Sequence, residues 1–283
     1  MRERDSQSGG YYMETTIISG SVVEKRKSPA GIRSVKRSRR VKGNSSERKQ
    51  VGNREYAKLA LARIINCNFG PGDLWLTLTY DEGGLARVGE DFKAADHAAA
   101  LFLDRLGYRM KKLGRDWRWI RNTSTLDGDT GEVVRLHHHV IVPGEAFTIR
   151  DRRLYLGEEA VEDIWGMGLI DVRLLRHQED FKPIANYIVS QGRFLPDEKK
   201  WHSSRNMRKP VVRKRVVTKG GPLKAPSGAK VLFEGQYDCE SGNHYIRYLK
   251  PKGKAPRRKI GGHKEMAAAL AGEDAPDGGG GWL

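Results

Sequence analysis

Three consecutive histidines, His137-His138-His139, lie inside the run Arg135-Leu136-His137-His138-His139-Val140-Ile141-Val142, which ends at Pro143-Gly144. An apolar run of this length reads as a β-strand, and strand side chains alternate between faces. His137 and His139 are therefore expected to point one way and His138 the other. Two imidazoles on one face of a strand held in a sheet form a ready pair of ligands for a divalent metal. The plainer alternative is a solvated or pH-sensitive strand face with one buried histidine.

A second residue with chemistry to offer is Tyr187, in Asn186-Tyr187-Ile188-Val189-Ser190-Gln191. Tyrosine on an amphipathic helix normally packs in a core or an interface. Downstream of a metal-binding strand, in a strongly basic chain, it is also a candidate nucleophile toward a phosphodiester. A phenol with a pKa of about 10 attacks poorly at neutral pH. A divalent ion on the scissile phosphate would withdraw charge from phosphorus and align the ester for in-line displacement. The expected product is a protein–DNA phosphotyrosine and a free 3′-hydroxyl.

Lysine and arginine number 52 against 35 aspartate and glutamate, a formal charge of +17. An excess of that size favours a polyanionic partner, nucleic acid first and an acidic membrane surface second. No stretch approaches the ~18 apolar residues of a spanning helix, and Met1-Arg2-Glu3-Arg4-Asp5-Ser6 lacks the apolar segment of a secretory signal. Cys67 and Cys239 stand far apart without metal-motif spacing, which argues against a disulfide framework or a zinc knuckle. A soluble cytoplasmic protein is expected.

Residues 1–50 are expected to form a disordered basic arm, because 21–50 is crowded with lysine and arginine and has little apolar area to offset its ordering entropy. One domain is expected over 51–210, a basic β-rich appendage over 211–250 and a flexible, Gly-rich tail over 251–283. Within the domain, Glu55 to Ile65 has helical spacing, with Tyr56, Leu59, Ala60 and Ile64 on one face. Leu74 to Tyr80 alternates as a strand, and Phe92 to Leu113 returns to a helical period. Trp117 to Thr123 and the histidine run, joined by a turn at Asp127 to Gly131, should be antiparallel neighbours. A short helix ends near Trp165 to Gly168, and Leu169 to Leu174 is another strand. Asp180 can cap a helix over Phe181 to Gln191, with Pro183 in its first turn. This order predicts an α+β fold: an antiparallel, RRM-like sheet of about five strands, with helices packed on one face and the other face left to carry a site.

Four segments then carry a family likeness, in this order: Leu74-Trp75-Leu76-Thr77-Leu78-Thr79-Tyr80, Leu136-His137-His138-His139-Val140-Ile141-Val142, Ala185-Asn186-Tyr187-Ile188-Val189, and Trp201-His202-Ser203-Ser204-Arg205-Asn206-Met207-Arg208-Lys209-Pro210. The chain resembles the HUH endonucleases, and within them the rolling-circle replication-associated proteins of plasmids and filamentous phages, the gene II type. The His-x-His strand followed by a tyrosine helix is the more specific signal, and the Trp201 to Pro210 stretch narrows it to this branch. The resemblance implies a five-stranded antiparallel sheet, single-stranded DNA at a replication origin as substrate, and Mn²⁺ or Mg²⁺ as cofactor. It implies nicking that starts rolling-circle replication, with a host helicase, polymerase and single-strand-binding protein as partners. No Walker-type phosphate loop is present to support a fused helicase.

On that likeness His137 and His139 bind the metal and Tyr187 attacks. Many relatives have a glutamate where this chain has Asn122, as a third ligand or a neighbour of the metal. An amide oxygen is a weaker ligand for a hard cation, so Glu132, Asp171 or water stand as alternatives. Relatives commonly have a lysine where this chain has Ser190, which leaves Lys182, Arg193 or Arg205 to neutralise phosphate. Arg193, Arg205, Arg208 and Lys209 are the expected DNA contacts, the last three on a stretch that is otherwise a solvated basic loop. Thr77 and Thr79 are expected to pack the sheet beside the site. Tyr245 and Tyr248 alternate with basic residues and are expected on a strand, stacking on bases, with a nucleophile pair as the alternative. A relaxase or transposase of the same fold, and a non-catalytic nucleic-acid-binding module, are the competing functions.

Overall fold

The structure is a computed structural model, and it describes residues 11–30, 47–89, 91–126, 132–191, 201–218, 221–236 and 244–251. Along the chain the elements are β1 (Tyr12–Ser19), β2 (Val22–Pro29), α1 (Glu47–Asn68), β3 (Leu74–Thr79), α2 (Glu82–Val88), α3 (Phe92–Lys112), β4 (Ile120–Leu126) and β5 (Val133–Val142). They continue with β6 (Thr148–Arg150), β7 (Arg153–Leu156), β8 (Glu159–Ala160), α4 (Val161–Trp165), β9 (Ile170–Leu174) and α5 (Lys182–Ser190). β10 (His202–Ser203), β11 (Val211–Val217), β12 (Lys230–Gln236) and β13 (His244–Leu249) complete the order. The described residues divide into two units, 47–208 and a second made of 11–30 with 209–251. No helix among them is long and apolar enough to cross a membrane.

The larger unit is built on five antiparallel strands in the order β10-β4-β5-β3-β9, with the histidine strand at the centre. Alternation sends Leu74, Leu76 and Leu78 of β3 and Leu136, Val140 and Val142 of β5 to one face. There they meet Phe102, Leu103, Leu106 and Met110 of α3 and Val161, Ile164 and Trp165 of α4. The predicted period of α3 holds, with Ala95, Ala99, Phe102, Leu106 and Met110 fully buried, and Leu113 exposed at the helix end. Asp91 caps its start by accepting from the Lys93 N–H.

The opposite face is not bare, which corrects the expectation of helices on one face only. Trp75, Ile120 and Ile141 pack there against Leu61, Ala62 and Ile65 of α1 and Ile184, Ala185, Ile188 and Val189 of α5. Two amphipathic helices need an apolar surface, and half of this face offers one. The buried stripe of α1 also differs from the predicted face, for Tyr56 is exposed while Leu61 and Ile65 are enclosed. A 3.6-residue period defines a stripe but not which edge of it meets the sheet. The small sheet β6-β7-β8 was not legible at all. Its first turn places Asp151 and Arg152 at positive φ (48° and 61°) without the Asn-Gly or Asp-Gly pair that normally announces such a hairpin.

In the second unit the strand order is β11-β1-β2-β13-β12, all antiparallel neighbours. The predicted 1–50 arm is therefore wrong over 12–29, which forms two inner strands, and over 47–50, which opens α1. Val23 joins Leu223, Ile246 and Tyr248 in a small core. Lys25, Arg26 and Lys27 made this stretch look unfoldable because the strands that flank the β1–β2 hairpin lie some 200 residues away in sequence. The predicted 211–250 appendage supplies those partners. The rest of the arm, 31–46, and the tail beyond 251 lie outside the described residues.

His138 anchors the core side of the larger sheet. The Tyr80 hydroxyl donates to its Nε2 at 2.7 Å, and its Nδ1 meets Thr123 Oγ1 at 2.9 Å. Thr123 donates onward to Asp96 Oδ1 at 3.0 Å, and a carboxylate can only accept, so the proton of His138 sits on Nδ1. Arg121 grips Asp96 through both terminal nitrogens, one of them at 2.9 Å from Oδ2. Burial holds His138 neutral, pushing its imidazole down to about 3, and burial likewise raises the Tyr80 phenol.

Burial alone would raise the Asp96 carboxyl, but the hydrogen bond and charge of Arg121, helped by Thr123, hold it below the usual 3.8. A folded value below the unfolded one gives stability that is complete above that usual value and is lost as pH falls through the folded one. Asp96→Asn should cost about 3 kcal/mol at pH 7 by leaving Arg121 unpaired, and should flatten the acid limb of a urea-unfolding pH series. Unchanged stability and an unchanged acid limb would count against this network.

Candidate functional site

The register of β5 between β4 and β3 lines up side chains across the sheet. Asn122, His139, Thr77 and Asp171 form one row, and Ser124, His137 and Thr79 the next. The row of Ile120, Ile141, Trp75 and Arg173 lies on the other side of His139, and its apolar members are those beneath α1 and α5. Beyond that covered row opens a cleft of about 330 Å³, walled by His137, His139, Tyr187, Arg135, Arg173, Asp171 and Gln191 together with strand residues of β3 and β5.

His137 Nε2 and His139 Nε2 face each other at 3.2 Å. The Nδ1 of His137 lies 2.9 Å from the Arg135 carbonyl oxygen, which only accepts, so Nδ1 carries a proton and Nε2 is the atom turned toward His139. The Nδ1 of His139 meets Thr77 Oγ1 at 3.3 Å. Burial first, then the neighbouring His137 and His138, hold the His139 imidazole well below its ordinary value, with a contact to the Gln191 side chain acting the other way. The two Nε2 atoms thus share one gap, with the His139 ring held neutral.

The spacing suits a cation. Two nitrogens each about 2.1 Å from one ion lie about 3.0 Å apart at a right angle and about 3.4 Å apart at the tetrahedral angle, and the observed 3.2 Å falls between. Among the described residues no group of three or more His, Cys, Asp or Glu is arranged to hold a metal ion.

Tyr187 comes to the same cleft from α5. Its ring centroid is 5.6 Å from that of His139 and 6.0 Å from that of Trp75, while Trp75 and His139 stand 4.8 Å apart. Ile184, Ala185, Ile188 and Val189 bury the rest of the helix and fix which side Tyr187 presents. Asn66 of α1 holds the helix start by accepting from the Phe181 N–H at 2.9 Å and donating to Asp180 Oδ1 at 3.0 Å. Asp180 accepts from the Lys182 N–H at 3.1 Å, so it serves the first turn as expected although Phe181 occupies the cap position. At the other end the Ser124 hydroxyl donates to the Gln191 carbonyl at 2.6 Å.

Of the residues expected from sequence, the cleft brings together His137, His139 and Tyr187. Asn122 stands beside His139 in the sheet but is buried and is not part of the cleft wall. Asp171 does reach the wall, where its Oδ2 accepts from Arg173 Nε at 3.0 Å. Glu132 is exposed just before β5. Ser190 turns its hydroxyl back to the Tyr187 carbonyl at 2.8 Å. Arg205, Arg208 and Lys209 are exposed and do not line the cleft, and the backbone around Arg208 is held by Asn68 at 2.9 Å in both directions. Arg193 lies outside the described residues. Tyr248 is buried in the core of the smaller unit, and the half-buried Tyr245 donates to Glu24 at 2.8 Å.

Three residues of the site went unread. Arg135 shares the strand parity of His137, a signal present in the sequence. Gln191 lies one turn beyond Tyr187. Arg173 had no local signal, because only the β3–β9 register brings it opposite Trp75. Thr77 orients His139 rather than merely packing. No family model, no curated protein and no solved structure matches this chain.

Thr77→Val keeps the shape and removes the partner of His139 Nδ1. Loss of that orienting contact should shift the ring-nitrogen resonances of His139 in an NMR spectrum, with circular dichroism unchanged. Wild-type ring resonances would show that Thr77 does not set the ring.

Proposed function

We propose that the chain is a metal-assisted, single-strand DNA nickase and strand transferase of the HUH endonuclease kind, which opens a replication origin for rolling-circle synthesis. The observation that carries this reading is the convergence of two imidazole nitrogens and a helix-borne tyrosine in one cleft that also holds two arginines. His137 and His139 would hold Mn²⁺ or Mg²⁺, which when bound supplies positive charge to a phosphate oxygen. Arg135 and Arg173, both in the cleft wall, would pair with the remaining phosphate oxygens and orient the ester.

The phenol oxygen of Tyr187 attacks phosphorus and gives up its proton. The bond from phosphorus to the 3′ oxygen breaks, and that oxygen leaves with the electron pair and takes up a proton. The 5′ phosphate stays esterified to Tyr187, so the linkage can be reversed, while the free 3′-hydroxyl can prime synthesis by host proteins. The chain's formal charge of +17 supports a nucleic-acid substrate through salt-sensitive attraction. Relaxases and transposases use the same chemistry and differ in the DNA they select.

The test is incubation of labelled single-stranded DNA from the region flanking the gene with protein and Mn²⁺. A covalent adduct on a denaturing gel is expected, reduced roughly 10³-fold or more by Tyr187→Phe, by His137→Ala and by EDTA. Tight binding without any adduct would replace the enzyme with a non-catalytic nucleic-acid-binding module.

A further inference from the structure

We propose that the smaller unit carries a nucleic-acid site of its own, which takes an unpaired strand on the sheet face that bears Phe233, Tyr245, Arg26 and Lys214. Such binding needs neither a cation nor a nick, so it stands apart from the metal-assisted reading. Charge points first to this unit. Its described residues hold eleven lysines and arginines against three acids, whereas those of the larger unit are near balance at 23 against 19. A surplus of that density attracts a polyanion.

The register then gathers the groups. Lys214, Thr15, Arg26, Tyr245 and Gly235 lie opposite one another across all five strands, and so share a face at steps of about 4.8 Å. Lys214 and Arg26 are exposed. Phe233 stands on the same face, two residues before Gly235. A Cβ on Gly235 would come within 2.9 Å of Phe233 Cε1 and 3.1 Å of its Cζ, so the missing side chain lets the Phe233 ring lie over the strand. There it meets the Tyr245 ring at 5.9 Å between centroids and 54° between planes. The Tyr245 hydroxyl donates to the buried Glu24 at 2.8 Å, which fixes that second ring.

Phe233 is nevertheless 45% exposed, and covering its ring is favourable. An unpaired base offers a flat apolar cover, and its backbone offers phosphates to Arg26 and Lys214. A second copy of this face is a poorer occupant, since it would bring cationic surface against cationic surface.

Binding of the full chain to labelled oligo-dT in EDTA, read by fluorescence anisotropy, tests this, with a duplex of equal length as comparator. Phe233→Ala should weaken oligo-dT binding roughly 10-fold and leave duplex affinity unchanged, because paired bases cannot cover the ring. Phe233→Trp should retain the affinity. Replacing Arg26 and Lys214 together by Gln should reduce the slope of log affinity against log salt by about 1.4. Ultraviolet irradiation of the wild type with oligo-dT should cross-link β12, which keeps the test open should Phe233→Ala not fold. Wild-type oligo-dT affinity in Phe233→Ala, equal losses for oligo-dT and duplex, or cross-links that miss β12 each overturn the site. These readouts are independent of the covalent adduct, so loss of the nickase reading leaves them standing and their failure leaves the nickase standing.

Discussion

Everything at the site depends on the two-residue repeat of a strand locked between neighbours on both sides. Because β5 is central, backbone pairing to β4 and β3 fixes its register, and its three adjacent imidazoles cannot share a face. One is forced into the core and two toward the cleft. A one-residue slip would exchange them, so the identity of every side chain in the cleft rests on that pairing.

The two faces support one another. On the core side, His138 is enclosed by Tyr80, Thr123, Asp96 and Arg121 in a chain of hydrogen bonds in which the proton positions follow from groups that can only accept. A buried, satisfied network of this kind resists sliding of β4 past β5. The cleft-side nitrogens of His137 and His139 inherit that rigidity through the same backbone. Their Nε2 atoms lie 3.2 Å apart on that fixed register.

The cleft exists because the second face of the sheet is only half apolar. Trp75, Ile120 and Ile141 draw α1 and α5 onto one end, while the histidines, the threonines of β3 and Asp171 leave the other end open. Tyr187 sits at that border, half-buried, between Trp75 and His139. A helix packed for stability thereby delivers a phenol to the polar half of the face. The same border explains why Gln191, which caps α5, lines the cleft beside His139 although it is buried.

The sequence by itself determined which way each residue of β5 points, the helical periods of α3 and α5, and the residue types that can do chemistry, because these follow from local repeats of two and 3.6 residues. It also determined the α+β character and the antiparallel hairpin of β4 and β5. Only tertiary structure decided that helices cover both faces, that Arg173 stands beside the site, and that residues 12–29 pair with strands near the other end of the chain. Those outcomes rest on contacts between segments far apart in sequence. A charged stretch such as Lys25 to Lys27 contains no sign of a strand it will meet some 200 residues later. Local pattern states what a segment can bury, and the encounter with its partner determines what it does bury.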